Sequence, residues 1–147
     1  MADHIIVHTT ENTFEAERAF TSVLDHAMLQ NKNTLWQVFF GMRVSSDQAC
    51  FDDSTVRLMD FEQPRKDKPV SFFYTLPFNK NEALVEYTVF STEPIVPDAA
   101  ELLHQYIKKQ YGCMEYSVIS LENGIIPMTD HEFNRQDGRL CYIGTVG

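Results

Sequence analysis

The sequence predicts an α+β fold, with a largely antiparallel β-sheet and helices packed on one face. Three observations predict it. Most β-prone runs alternate apolar with mixed positions, only two stretches hold a helical period, and short turn-rich connections join successive strands. A length of 147 residues fits one domain, 1–147, with a core buried in the usual proportion.

The elements follow in order. His4 to Thr10 is a short β-prone run. Phe14, Ala16, Ala19, Phe20, Val23, Leu24 and Ala27 then take roughly helical spacing, predicting a helix over 13–30. From Thr34, Trp36, Val38, Phe40, Met42 and Val44 alternate with Leu35, Gln37, Phe39, Gly41 and Arg43, so one strand face is wholly apolar. A polar loop precedes a strand over 55–61, and a charged loop spans 62–69. The aromatic run 70–78, the turn Asn79-Lys80-Asn81 and the run 83–91 read as a hairpin.

The clearest helix is 96–112. Ala99, Leu102, Leu103, Tyr106 and Ile107 share a face, Asp98 suits the N-terminus, Lys108 and Lys109 suit the C-terminal dipole, and Gly112 closes it. Strands are expected over 114–122 and 125–128, separated by a turn at Asn123-Gly124. After a polar loop, Arg139 to Ile143 is a last strand running into Gly144-Thr145-Val146-Gly147. A glycine turn there ordinarily leads into a helix, so the chain is expected to be part of a longer protein.

Composition narrows the function classes. Twelve Lys+Arg against 21 Asp+Glu give a net charge of −9, which argues against phosphate-mediated nucleic-acid binding. It argues equally against attraction to anionic headgroups, and no apolar run reaches the ~20 residues of a membrane span. The N-terminus has no basic n-region, so a cytoplasmic setting is expected. Cys50, Cys113 and Cys141 form no CxxC pair, and the five histidines form no metal-ligand motif. The six glycines contain neither GxGxxG nor a Walker A loop.

Two acids stand out. In Leu84-Val85-Glu86-Tyr87-Thr88-Val89-Phe90, alternation puts Glu86 on a face with Leu84, Thr88 and Phe90. A carboxyl group there loses hydration, its pKa rises, and it becomes a usable proton donor near neutrality. The competing reading is a solvated face, or a basic partner for Glu86. Alternation puts Asp60 with Val56 and Leu58, either as a half-buried acid or as a strand-end group facing solvent. Phe72, Phe73, Tyr74, Phe78, Tyr87 and Phe90 either line an apolar cavity or form core.

Five blocks in this order carry a resemblance: Leu58-Met59-Asp60-Phe61, Phe72-Phe73-Tyr74-Thr75-Leu76-Pro77-Phe78, Ala83 to Ser91, Glu122-Asn123-Gly124-Ile125-Ile126-Pro127-Met128, and Ile143-Gly144-Thr145-Val146-Gly147. From about 34 to 147 the chain resembles the central, substrate-domain portion of the flavoprotein-type lycopene cyclases. The first thirty or so residues match less well.

The resemblance implies an FAD-dependent enzyme folded like the aromatic-hydroxylase flavoproteins, forming β-ionone rings from lycopene without net redox change. It implies Glu86 as the acid, matching the family's Leu-x-Glu-x-Thr strand. It implies a carotenoid-contacting set of Asp60, Phe72, Tyr74, Phe78, Thr88, Phe90 and Pro127, and cofactor contacts from Gly144, Thr145 and Gly147. Phe72, Tyr74, Phe78 and Phe90 would add cation–π stabilisation of a carbocation. Glu122 falls in the family's Glu-x-Gly-x-x-Pro block. Where the family often carries a second acid beside the first, this chain has Tyr87, which argues against paired carboxylates.

Without the GxGxxG unit, the chain is expected to bind no FAD and cyclise no lycopene alone. Membrane-surface association is an expectation for the complete enzyme only. The alternatives are the substrate domain of another FAD-dependent hydroxylase, which needs no alkene-protonating acid, and a non-enzymatic α+β module holding an apolar small molecule.

Overall fold

The computed structural model describes residues 4–23, 29, 33–61, 69–95 and 98–144. The described elements run β1 (Ile5–His8), β2 (Thr13–Ala16), β3 (Ala19–Thr21), β4 (Thr34–Ser45), β5 (Arg57–Asp60), β6 (Ser71–Asn79), β7 (Glu82–Ser91), α1 (Ala100–Tyr111), β8 (Ser117–Thr129), β9 (Gln136–Asp137) and β10 (Leu140–Tyr142). The class is the predicted α+β with a mostly antiparallel sheet, but among the described residues one α-helix, α1, is present where two helices were expected. The chain forms two compact units, Leu35–Met128 and the flanking Met1–Thr34 with Thr129–Gly147.

In the flanking unit the helix expected over 13–30 is not what forms. Residues 13–16 and 19–21 are strands, while 24–28 and 30–32 lie outside the described residues. Thr9 decides the hairpin: its hydroxyl accepts from the N–H groups of Glu11 and Asn12, and its own N–H donates to the Asn12 carbonyl. That turn places Phe14 opposite Val7 and Ala16 opposite Ile5. A ready strand partner outweighs a loose 3.6-residue period in a stretch rich in Thr and Phe. β3 pairs in parallel with β10, which pairs antiparallel with β9.

The larger unit is a five-stranded sheet in the order β5-β6-β7-β4-β8. The hairpin of β6 and β7 forms as predicted, and β4 pairs antiparallel with β7 over ten residue pairs, Trp36↔Ser91 to Ser45↔Glu82. Alternation divides the faces. Met42, Val44, Phe73, Ala83 and Val85 pack with Leu103, Tyr106 and Ile107 of α1 into the core. Burying each large apolar side chain of this set contributes about 1.5–3 kcal/mol.

α1 starts later than the periodicity suggests, at Ala100. Ala99 occupies the N-cap without a side-chain bond, and Asp98 reaches the Ala100 N–H only at 3.5 Å. Its C-terminus is as predicted: Gly112 adopts φ 64° and its N–H bonds the Lys108 carbonyl.

β8 corrects a second expectation. Asn123-Gly124 is not a turn, and 117–129 is one continuous strand. Gly124 serves close packing instead: a Cβ there would sit 2.4 Å from Cζ of Phe39. A glycine inside a strand often marks such an approach. Gly124→Ala is therefore expected to destabilise the fold by about 1–3 kcal/mol. Chemical denaturation checks this, and Phe39→Ala in the same chain should relieve the added cost. An unrelieved cost in the double variant would contradict the packing account.

Candidate active site

Glu86 lies in β7, flanked on both sides by strands. Its register partners are Tyr74 on β6 and Gly41 on β4. A mid-sheet position strips water from the carboxyl group. Gly41 has no side chain to cover it, so the position above Gly41 is open to the next strand, β8. Glu122 fills that position. A Cβ on Gly41 would lie 2.9 Å from Cγ of Glu122 and 3.0 Å from Cγ of Glu86. Two acids from strands that are not neighbours thus meet over one missing side chain.

The electrostatics follow from this placement. Burial raises the Glu86 pKa from its usual 4.5 to about 7, helped by a side-chain hydrogen bond and charge repulsion with Glu122. Desolvation disfavours the carboxylate, and a nearby negative charge disfavours it further. The sequence offered only Tyr87 beside Glu86; here a second carboxyl side chain, Glu122 of β8, comes to the same point over Gly41.

The same sheet face is aromatic. The Phe72 ring meets Phe61 at 5.2 Å, Tyr74 at 5.1 Å and Phe90 at 5.9 Å, each edge-on or tilted, the arrangement ring quadrupoles favour. Thr88 lies opposite Phe72 and next to Glu86 by alternation. It is 1% exposed, and its hydroxyl oxygen has no hydrogen-bond partner. The structure therefore brings Glu86, Phe72, Tyr74, Thr88 and Phe90 to one face.

The other expected site residues fall elsewhere. Asp60 is 7% exposed and opposite Phe73, on the helix side of the sheet. A bulge between Arg57 and Asp60, with Met59 at φ 51°, reverses the expected alternation, so Asp60 does not share a face with Val56 and Leu58. It does not face solvent. The Tyr106 hydroxyl donates to its Oδ2 at 2.7 Å and Arg57 lies at 3.3 Å. Phe78 is 56% exposed, and Arg43, paired with Glu82, already covers its ring at 4.6 Å. Pro127 is buried and of opposite parity to Glu122 on β8. Gly144 takes φ 75° in the flanking unit, and Thr145 and Gly147 lie outside the described residues.

Glu122 is the site residue that sequence reasoning missed. The signal for it is Gly41, a lone glycine amid Phe39, Phe40 and Met42 at the register of Glu86.

A family model for lycopene cyclase protein matches residues 1–147. The chain belongs to the lycopene cyclase family. The match takes in the first thirty-odd residues, which the sequence blocks left out. Membership ties this cyclase-family chain to carotenoid biosynthesis and implies a carotenoid substrate. No curated protein sequence matches it significantly. Among the described residues, no helix is long and apolar enough to cross a membrane, and no group of His, Cys, Asp and Glu is arranged to hold a metal ion.

Among the described residues, no glycine turn leads into a helix N-terminus of the kind that holds a dinucleotide pyrophosphate. A dinucleotide is held by a strand, a glycine turn and a helix N-terminus whose N–H groups meet the phosphates. The described helix of this cyclase-family chain is preceded instead by Asp98-Ala99, with no glycine turn and a carboxylate at that end.

Proposed function

We propose that this chain is the carotenoid-binding portion of a lycopene cyclase and that Glu86 is the acid that starts ring closure. The observation that carries this is a half-buried carboxyl group, its pKa raised to about 7, on an aromatic sheet face. An alkene is a very weak base. Its donor must hold a proton at neutral pH and stand out of water, so that solvent does not quench the cation.

The steps balance as an isomerisation. The O–H bond of Glu86 breaks as a C–H bond forms at the terminal alkene of the acyclic end. A second alkene supplies the electron pair for the ring C–C bond, which moves the positive charge into the ring. Loss of a ring proton leaves a ring double bond, and the carboxylate takes that proton up. Tyr74 and Phe90, half-buried, present the π faces and edges against which the cation develops, with Phe72 buried behind them. Thr88 adds a hydroxyl oxygen whose lone pairs the chain leaves unused. FAD, implied by the resemblance, belongs in this proposal to other parts of the complete enzyme.

Cyclisation of lycopene in D2O by the enzyme that contains this chain tests the reaction type. Each ring formed should carry one solvent-derived deuterium, read by mass spectrometry. Rings formed without deuterium in a single turnover by enzyme first equilibrated in D2O, before any ring proton can be reused, would rule out an acid-initiated closure. That result would favour a different flavin chemistry on this sheet.

A further inference from the structure

We propose, on the reading just given for Glu86, that Glu122 is the second half of the acid: the two carboxyl groups meet over Gly41 and act as one pair holding a single proton for the terminal alkene. Three placements support this. Gly41 is the register partner of Glu86, and its missing side chain leaves the position in which both Cγ atoms lie. β8 is the strand on the far side of β4, so Glu122 reaches the same point from the opposite direction. The Thr88 hydroxyl, buried on this face next to Glu86, has no hydrogen-bond partner, an unsatisfied polar group beside the pair.

The groups that face Glu86 are few. β6 contributes Tyr74, and β8 contributes Glu122. The charged side chain of this face on β4 is Arg43, and Glu82 of β7 already holds it. Among the described residues, Glu122 is thus the carboxyl neighbour of Glu86 on this face, acting after burial on its pKa.

A pair does what a single acid does not. Before transfer it carries one proton and one negative charge. After transfer both carboxylates are charged, at the moment the substrate carries one positive charge. The repulsion between them is relieved by the cation they face, so the pair stabilises charge that exists only along the reaction path. When the ring proton leaves, the same repulsion makes the pair a ready acceptor, and the starting state is restored with no atom gained or lost.

The pH dependence of cyclisation by the enzyme containing this chain tests the proposal, with Glu122→Gln, Glu122→Asp and Glu86→Gln. Wild-type activity should fall as pH rises past about 7, where Glu86 loses its proton. In Glu122→Gln the repulsion is gone and that fall should move acidward by about one pH unit or more, on top of a lowered plateau near pH 5.5 from the lost charge that faced the cation. Glu122→Asp keeps the charge and should hold the midpoint closer to wild type. A uniform loss in Glu122→Gln with an unmoved midpoint would make Glu122 merely structural and overturn the pair, leaving Glu86 as acid. Wild-type activity in Glu86→Gln at every pH would overturn the underlying reading itself.

Discussion

Glu86→Gln is expected to lower cyclisation by about a thousandfold or more while leaving the sheet folded. The substitution keeps the shape and removes the transferable proton, and a positioned general acid contributes roughly 10²–10⁴-fold. Glu122 stands at the same point over Gly41, so residual activity is expected to come through it and to be lost in the double variant. Stability should move the other way. Folded Glu86 titrates at about 7 against a usual 4.5, so between those pH values the folded state holds a proton that the unfolded chain lacks. Stability therefore falls as pH rises through that window, by about 1–2 kcal/mol once partial exposure is discounted. Glu86→Gln should remove that fall: it should match wild type below pH 4.5 and be the more stable protein at pH 8. Denaturation at the two pH values reads this directly. A variant that loses stability at pH 8 would mean that Glu86 is charged and paired in the folded protein.

Asp60→Ala is expected to be the most destabilising of these substitutions, at about 2–4 kcal/mol. Asp60 is 7% exposed and accepts the Tyr106 hydroxyl at 2.7 Å, with Arg57 at 3.3 Å. Its removal leaves a buried phenol without its carboxylate acceptor and takes the counter-charge from a partly exposed guanidinium, and the unmet buried phenol carries most of the cost. Burial and the Asp60 hydrogen bond also push the Tyr106 pKa upward, so the phenol stays a donor throughout the accessible pH range. Tyr106→Phe removes one bond and leaves Arg57 in place, so about 1 kcal/mol is expected. Because Asp60 lies on the helix side of the sheet, Asp60→Ala activity should track the folded fraction. A raised KM in fully folded protein would instead mean that Asp60 contacts substrate.

What was legible in the sequence was local. The alternation from Trp36 to Val44 marks the buried face of β4, and the spacing of Leu103, Tyr106 and Ile107 marks the packed face of α1, because both patterns are written in consecutive residues. Glu86 was legible for the same reason: Leu84 and Thr88 show that its neighbours on the face are not charged. What was not legible depends on partners distant in sequence. The hairpin of β1 and β2 wins over a helix because Val7 lies ready for Phe14. A single left-handed residue, Met59, turns Asp60 to the other face, and no spacing rule announces it. Gly124 reads as a turn until Phe39 is seen against it. Glu122 is 36 residues from Glu86, and only the order β7-β4-β8 with glycine in the middle strand joins them.

The central claim is that Glu86 carries its proton at neutral pH because Glu122 and the sheet hold it there. Carbon-13 NMR titration of the Glu86 side-chain carboxyl in this chain measures that most directly. The account predicts a midpoint near about 7, falling in Glu122→Gln. A midpoint near the ordinary 4.5, unchanged by that substitution, would contradict it.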